Sequence, residues 1–147
     1  MVIDELSQSQ CSEFLSRTPL GRLACCSGDQ PYIVPLAFAH EEKYLYALAT
    51  LGQKIEWMRT NPNVCVLFDE VASYSQWTSV VVNGTYQELA GARFEEERER
   101  GRKLLAHRDR WWQTPLAERQ AKSDEQLIAP VFFRVEISSV SGLHAHA

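Results

Sequence analysis

Apolar positions recur with two different periods along this chain, and each change of period marks a boundary between elements. Ile3, Leu6, Phe14 and Leu15 stand among polar residues over 3–16, which predicts a short amphipathic helix. Thr18-Pro19 ends it, because proline biases its predecessor away from helical dihedrals. Residues 21–26 (GRLACC) read as a strand, closed by the turn signal SGDQP. Residues 32–39 (YIVPLAFA) predict a second strand, apolar on both faces. Pro35 cannot donate to a ladder, so that strand needs an open edge or a bulge. Residues 40–43 form a polar turn, and residues 44–49 (YLYALA) a third strand.

The period then changes. Leu51, Ile55 and Met58 are spaced four and three apart, predicting a short helix over about 52–60 that Asn61-Pro62 stops. Residues 63–68 (NVCVLF) are a strand, and residues 76–89 a longer one. Asn83-Gly84 inside it is read as a bulge, not a hairpin turn, because alternation continues past it. Between Arg93 and Arg110 there are seven basic and five acidic residues, with a thin stripe of Phe94, Leu104 and Leu105. This predicts a solvated helix laced with i,i+4 ion pairs. Residues 109–130 are polar apart from Trp111-Trp112, and residues 131–140 (VFFRVEISSV) predict the last strand. Hairpin-linked strands with peripheral helices point to a mainly β fold, a six-stranded antiparallel barrel in one domain over 1–147.

Composition narrows the function classes. With 147 residues, 45% hydrophobic and 23% charged, the chain can bury a core and is not a disordered protein. It has no apolar run of membrane-spanning length, and its N-terminal stretch has acids where a secretory signal has bases, so a cytoplasmic protein is expected. The net charge of −4 argues against general nucleic-acid binding but leaves room for one local anion site. Adjacent Cys25 and Cys26 point to opposite faces of their strand, and no CxxC pair exists, so reduced thiols are expected. His144-x-His146 has ligand-like spacing but is read as solvated, and no metal is expected. No acid–base pair and no GxSxG stands out, so no catalytic residue is assigned.

The most informative stretch is Ala49-Thr50-Leu51-Gly52-Gln53-Lys54. A strand ends, Thr50 is placed as N-cap, and a helix begins. Gly52 lets a ligand approach the backbone. Lys54 puts a cation in the first turn, where the helix dipole is already positive, which is unfavourable unless an anion offsets it. This is a candidate phosphate site. A second stretch, Trp77 to Gly84, puts Thr78 on one face with Val80 and Ser79 on the other with Val81. Its hydroxyls could bond a flat heterocycle lying against the sheet.

In order, GRLA, PYIVPLAF, LYALATLGQKIEWMRTNPNVCV and WTSVVVNGTYQEL resemble the pyridoxamine 5′-phosphate oxidase-like flavoproteins of the FMN-binding split-barrel fold. The resemblance covers about residues 12–140 and is closest to the small flavin-nucleotide-binding branch that includes the nitroimidazole-resistance type. It implies an FMN-binding homodimer with cofactor sites at the subunit interface. By position, Lys54 matches the family's phosphate-binding lysine, with Thr50 beside it, while Gln53 stands where many members have arginine. Ile33, Val34, Pro35 and Leu36 match the strand whose backbone flanks the flavin ring, and Leu48 and Ala49 the next strand contact. Thr78 and Ser79 match polar positions near the ring, and Trp111 and Trp112 a segment of the partner subunit that covers it.

Two departures bear on activity. The chain lacks the basic and histidine set that oxidases of vitamin B6 use for the substrate phosphate. It also has Ala47-Leu48-Ala49 where nitroimidazole-resistance proteins commonly carry a histidine. The expected function is therefore an FMN-dependent oxidoreductase acting on a small molecule other than a B6 vitamer. The alternatives are a non-catalytic flavin carrier or sensor, or a haem- or deazaflavin-binding relative of the same fold.

Overall fold

The computed structural model describes residues 1–107 and 130–147. Its elements run β1 (Val2–Glu5), α1 (Gln8–Arg17), β2 (Leu20–Ser27), β3 (Gln30–Ala37), β4 (Ala39–Glu41), β5 (Tyr44–Ala49), α2 (Gln53–Thr60), β6 (Asn63–Ser73), β7 (Gln76–Glu88), a 3-10 turn (Ala92–Phe94), α3 (Glu95–Ala106) and β8 (Val131–His146). Trp111 and Trp112 lie outside the described residues. No helix among the described residues is long and apolar enough to cross a membrane.

All eight strands join one antiparallel sheet in the order β3-β2-β6-β7-β8-β5-β4, with β1 pairing the far end of β8. The six expected strands are all present. The two additional ones, β1 and β4, are short edge segments. β3 and β4 stand at opposite ends of the path yet are consecutive in the chain, joined through Phe38. The sheet is therefore rolled on itself, with β3 brought close to β5. Chain connectivity, not a hydrogen-bonded ladder, crosses that seam. Phe38 is 1% exposed and meets Phe68 and Phe133 edge-on, with ring centroids 5.8 and 6.5 Å apart.

Alternation within the strands builds the interior. Leu23, Val66, Phe68, Val80, Val82, Phe133 and Val135 face inward from β2, β6, β7 and β8. Ile55 and Met58 of α2 and Phe14 and Leu15 of α1 join the same core. Pro35 is accommodated because β3 is an edge strand that, among the described strands, pairs only with β2. Asn83-Gly84 is a bulge, as a register shift against β8.

Four expectations need correction. Residues 3–16 are not one helix: Val2–Glu5 pair with residues 143–146 of β8, and the helix starts only after Ser7. A capping box sets that start, with Gln10 N donating to Ser7 Oγ at 3.1 Å and Ser7 N donating to Gln10 Oε1 at 2.8 Å. The polar stretch 40–43 is not a simple turn, because Ala39–Glu41 pair with residues 44–46 as β4 and only Glu42 takes a left-handed conformation, at φ 55°. β8 continues to His146, since its second half pairs with both β7 and β1. Finally, Thr50 is not the N-cap of α2. Gly52 holds that position in extended conformation, without a side-chain cap. Leu51 accordingly lies outside the helix and is 46% exposed.

α3 covers one part of the outer surface. Gly101 lets it approach Tyr46 of β5 so closely that a methyl group at 101 would lie 2.9 Å from the ring. Arg100 pairs with Glu41, and the Arg102 guanidinium sits 5.2 Å over the Phe132 ring. Beneath the helix, Arg134 lies 3.8 Å over Tyr44 and donates to Gln87 at 2.6 Å.

Candidate functional site

α2 and the edge strand β3 meet at one corner of the barrel, through Trp57 and Tyr32. α2 is anchored from within by Ile55 and Met58, both fully buried. On its flank, Trp57 meets Tyr32 of β3 edge-on, with centroids 5.7 Å apart. Its far end is fixed by Arg59, whose Nε and Nη2 donate to the two oxygens of Glu88 at 2.7 and 3.1 Å. The Tyr86 hydroxyl donates to the same carboxylate at 2.7 Å. The Arg59 guanidinium holds the Glu88 carboxyl below the ordinary glutamate range, while burial pushes the Tyr86 hydroxyl up.

At the other end of α2, Lys54 is half-buried in the first turn. Its charge acts on Cys25 of β2, whose thiol is pushed up by burial and by Cys26 but pulled down by Lys54. A side-chain atom added at Gly52 would meet nothing closer than the Thr50 carbonyl at 4.0 Å, so this backbone is open to approach. The corner thus offers helix amides, a cation and accessible backbone to an anion.

Beside it, Ile33 is 62% exposed and Pro35 is exposed on the outer side of β3, while Val34 and Leu36 pack toward the core. The backbone edge, which no described strand pairs, and the exposed apolar side chains suit one side of a flat aromatic ring. Leu48 and Ala49 lead into the corner but face opposite ways. Ala49 is in the core, 2% exposed, and Leu48 stands opposite Phe132, on the α3 side of the sheet.

Thr78 and Ser79 are not at this corner. They lie at the opposite end of the long β7–β8 ribbon, where Thr78 pairs with His144 and Ser79 with Leu143. Glu88, which clasps α2, is roughly 30 Å farther along β7 by the rise of a strand. Within one chain, then, the fold gathers Ile33 to Leu36 with Ala49, Thr50, Gln53 and Lys54, and leaves Thr78 and Ser79 apart. The two also face opposite ways. Thr78 lies on the interior side with Val80 and has its hydroxyl 2.9 Å from His144 Nδ1, whereas Ser79 is on the outer face.

That outer face continues across the sheet from β3. Directly paired residues point to one side, so the register places Pro35, Arg22, Leu67 and Val81 in one row. Farther along, Val71, Trp77 and Ile3 share another. Ile33, Val71, Ile3 and Leu143 on this face are 62, 68, 50 and 41% exposed. An Arg22–Asp69 ion pair sits among them. An apolar sheet face of this breadth was not singled out in the sequence, although the alternation of β2, β6 and β7 contains it.

Residues 7–144 match the family model of pyridoxamine 5′-phosphate oxidase. The chain belongs to this family. An uncharacterized protein of Rhizobium meliloti strain 1021 is 39% identical over 100% of this chain and 98% of its own length. The crystal structure of a FAD-binding protein of Mesorhizobium loti is similar at a TM-score of 0.76 and 36% identity, covering 100% of this chain and 99% of that one. A candidate 5-nitroimidazole antibiotic resistance protein of Bacteroides thetaiotaomicron shares the fold at a TM-score of 0.67 and 16% identity, over 98% of this chain and 89% of that one. The rolled antiparallel sheet with α1, α2 and α3 around it is therefore the split barrel of the pyridoxamine 5′-phosphate oxidase family. Among the described residues no group of three or more metal-ligating side chains converges.

Proposed function

We propose that this chain binds a flavin nucleotide, FMN in the first instance, at the corner of β3 and α2, and acts as a flavin-dependent oxidoreductase on a small molecule. The observation that carries this reading is Lys54 in the first turn of α2, beside an open backbone at Gly52 and the free edge of β3. The phosphate meets Lys54 and the helix amides, and the ring lies along Ile33 to Leu36. When bound, the flavin supplies the redox chemistry, and the protein binds, orients and excludes water.

The cofactor site is completed by a second copy of the chain. Ser79 is remote from Lys54 within one protomer, and the outer face bearing Ser79, Ile33 and Leu143 is apolar and broad enough for a second sheet to cover. A homodimer built on this face brings the Ser79 end of one protomer toward the Lys54 corner of its partner.

A second reading takes FAD as the ligand. Arg22 and Arg59, on the neighbouring β2 and α2, are each already held by a carboxylate, and Gln53 occupies the first turn. A phosphate monoester carries a charge of about −1.5 to −2 at neutral pH, and one lysine suits it less well than the smaller charge on each phosphate of a diphosphate. The 36% identical relative described as FAD-binding favours the same reading.

Titration of the purified protein with FMN and FAD, followed by flavin absorbance and fluorescence quenching, tests the proposal. Micromolar or tighter binding of either flavin with one site per chain supports it, and failure of both to bind overturns it. Bleaching of the bound flavin by NADH or NADPH under anaerobic conditions separates an oxidoreductase from a carrier.

A further inference from the structure

β1 is four exposed residues that the ladder with β8 holds to the barrel. A chain of side chains reinforces that ladder. Asp4 Oδ2 is 2.7 Å from His146 Nε2. The His146 ring stacks on His144, with centroids 5.3 Å apart and an interplanar angle of 17°. His144 Nδ1 in turn lies 2.9 Å from the Thr78 hydroxyl on β7. Three strands are thus tied through four side chains at one end of the sheet.

We propose that His146, stacked on His144, is a proton-operated latch that holds β1 against β8. The groups facing His146 are Asp4 of β1, the Met1 amino group, the Ala147 carbonyl 3.1 Å from its Nδ1, and His144 on its own strand. Thr78 bonds His144 from β7. Glu70 of β6, which pairs with Thr78, is engaged by Arg17 of α1. Glu5 takes no part, because it pairs with Leu143 on the outer side. With a proton on His146, the contact to Asp4 joins opposite charges. Without it, the imidazole still has a hydrogen to offer but no charge. The Asp4 carboxylate raises the proton affinity of His146 in the docked state. Docking of β1 is therefore strongest below the ordinary histidine range and weakens as pH rises through the raised value.

Release of β1 has two structural consequences. It bares the edge of β8 from Leu143 to His146. It also opens one wall of a cavity of about 400 Å³, in which Glu5 and Leu6 face Ser79, Val81 and Leu143.

Hydrogen exchange of the full-length protein, read by mass spectrometry on the N-terminal peptide and corrected for the intrinsic rate, tests the latch between about pH 5.5 and about pH 8.5. Protection of β1 should fall severalfold with rising pH in the wild type, and should be low and pH-independent in both His146→Gln and Asp4→Asn. Protection that does not change with pH in the wild type, or that changes equally in His146→Gln, overturns the proposal. Folding of the variants is read from the same data, since the peptides of β6 and β7 should keep wild-type protection. An NMR titration of the His146 ring gives an independent check. Its midpoint should drop in Asp4→Asn, and an unmoved midpoint counts against the latch.

Discussion

Gly84 of β7 lies directly against the backbone carbonyl of Glu136 in β8, at the register shift between the two strands. A Cβ there would also press on Val135 Cγ1 at 2.6 Å. Neither neighbour can move away, one being backbone and the other a core side chain. Gly84→Ala is predicted to destabilise the protein by roughly 2–4 kcal/mol. A urea melt checks this, and a wild-type midpoint would mean that the bulge yields.

The clasp of Arg59 and Tyr86 on Glu88 predicts a pH dependence. Glu88 has a depressed proton affinity in the folded state, caused first by Arg59. Its contribution to stability is fully present above the ordinary glutamate range and is lost as pH falls through the lower folded value. Urea midpoints measured from neutral to acid pH should fall less steeply in Glu88→Gln than in the wild type. Parallel curves would show that the clasp adds nothing to the acid response.

The outer face predicts the oligomeric state. A charge placed among its apolar residues is costly to bury unpaired. Ile33→Asp or Leu143→Asp should therefore shift a dimer to monomers in analytical ultracentrifugation. The same change at Val2, which lies on the other side of β1, should leave the assembly intact. Ile33 also lies in the proposed ring bed, so Leu143→Asp is the cleaner variant.

Charge counting at α2 predicts how the two flavins respond. Lys54→Ala should weaken flavin binding at least severalfold without a matching loss of thermal stability. Gln53→Arg should strengthen FMN binding more than FAD binding, because the added cation answers the larger charge of a monoester. Isothermal titration of both ligands reads the two effects, and equal gains for both would argue against the charge-matching account.

Much of the fold was legible because its strands alternate strongly. The period change at Leu51 to Met58 marked α2, and Asn83-Gly84 marked the bulge, since both signals are local. The errors fall where a distant partner decides. Val2–Glu5 alternates too briefly to be told from a helix start, and only the far end of β8 makes it a strand. Ala39–Glu41 is a strand because Tyr44–Tyr46 lies beside it. Thr50 looked like a cap by residue type, but the chain runs on through Leu51 to Gly52, two positions further, before the helix begins.

The candidate site was legible only in part for the same reason. Ala49 to Lys54 is contiguous in sequence, so its corner could be recognised. That Ser79 lies at the other end of a long ribbon from Glu88, which clasps α2, is a property of register, and register is not written in any one segment. The broad apolar face was hidden similarly. Ile3, Ile33, Val71 and Leu143 are far apart in the chain and meet only on the assembled sheet.

β8 pairs with β7, β5 and β1, more strands than any other described strand, and it is synthesised after all three. While the chain is being made, β5 and β7 must therefore wait with exposed edges until β8 emerges from the ribosome. Such edges invite pairing with other nascent chains. The vulnerable interval in the making of this protein is the one between the synthesis of β7 and that of β8. A stalled or prematurely terminated product is expected to aggregate, not to persist as a smaller barrel.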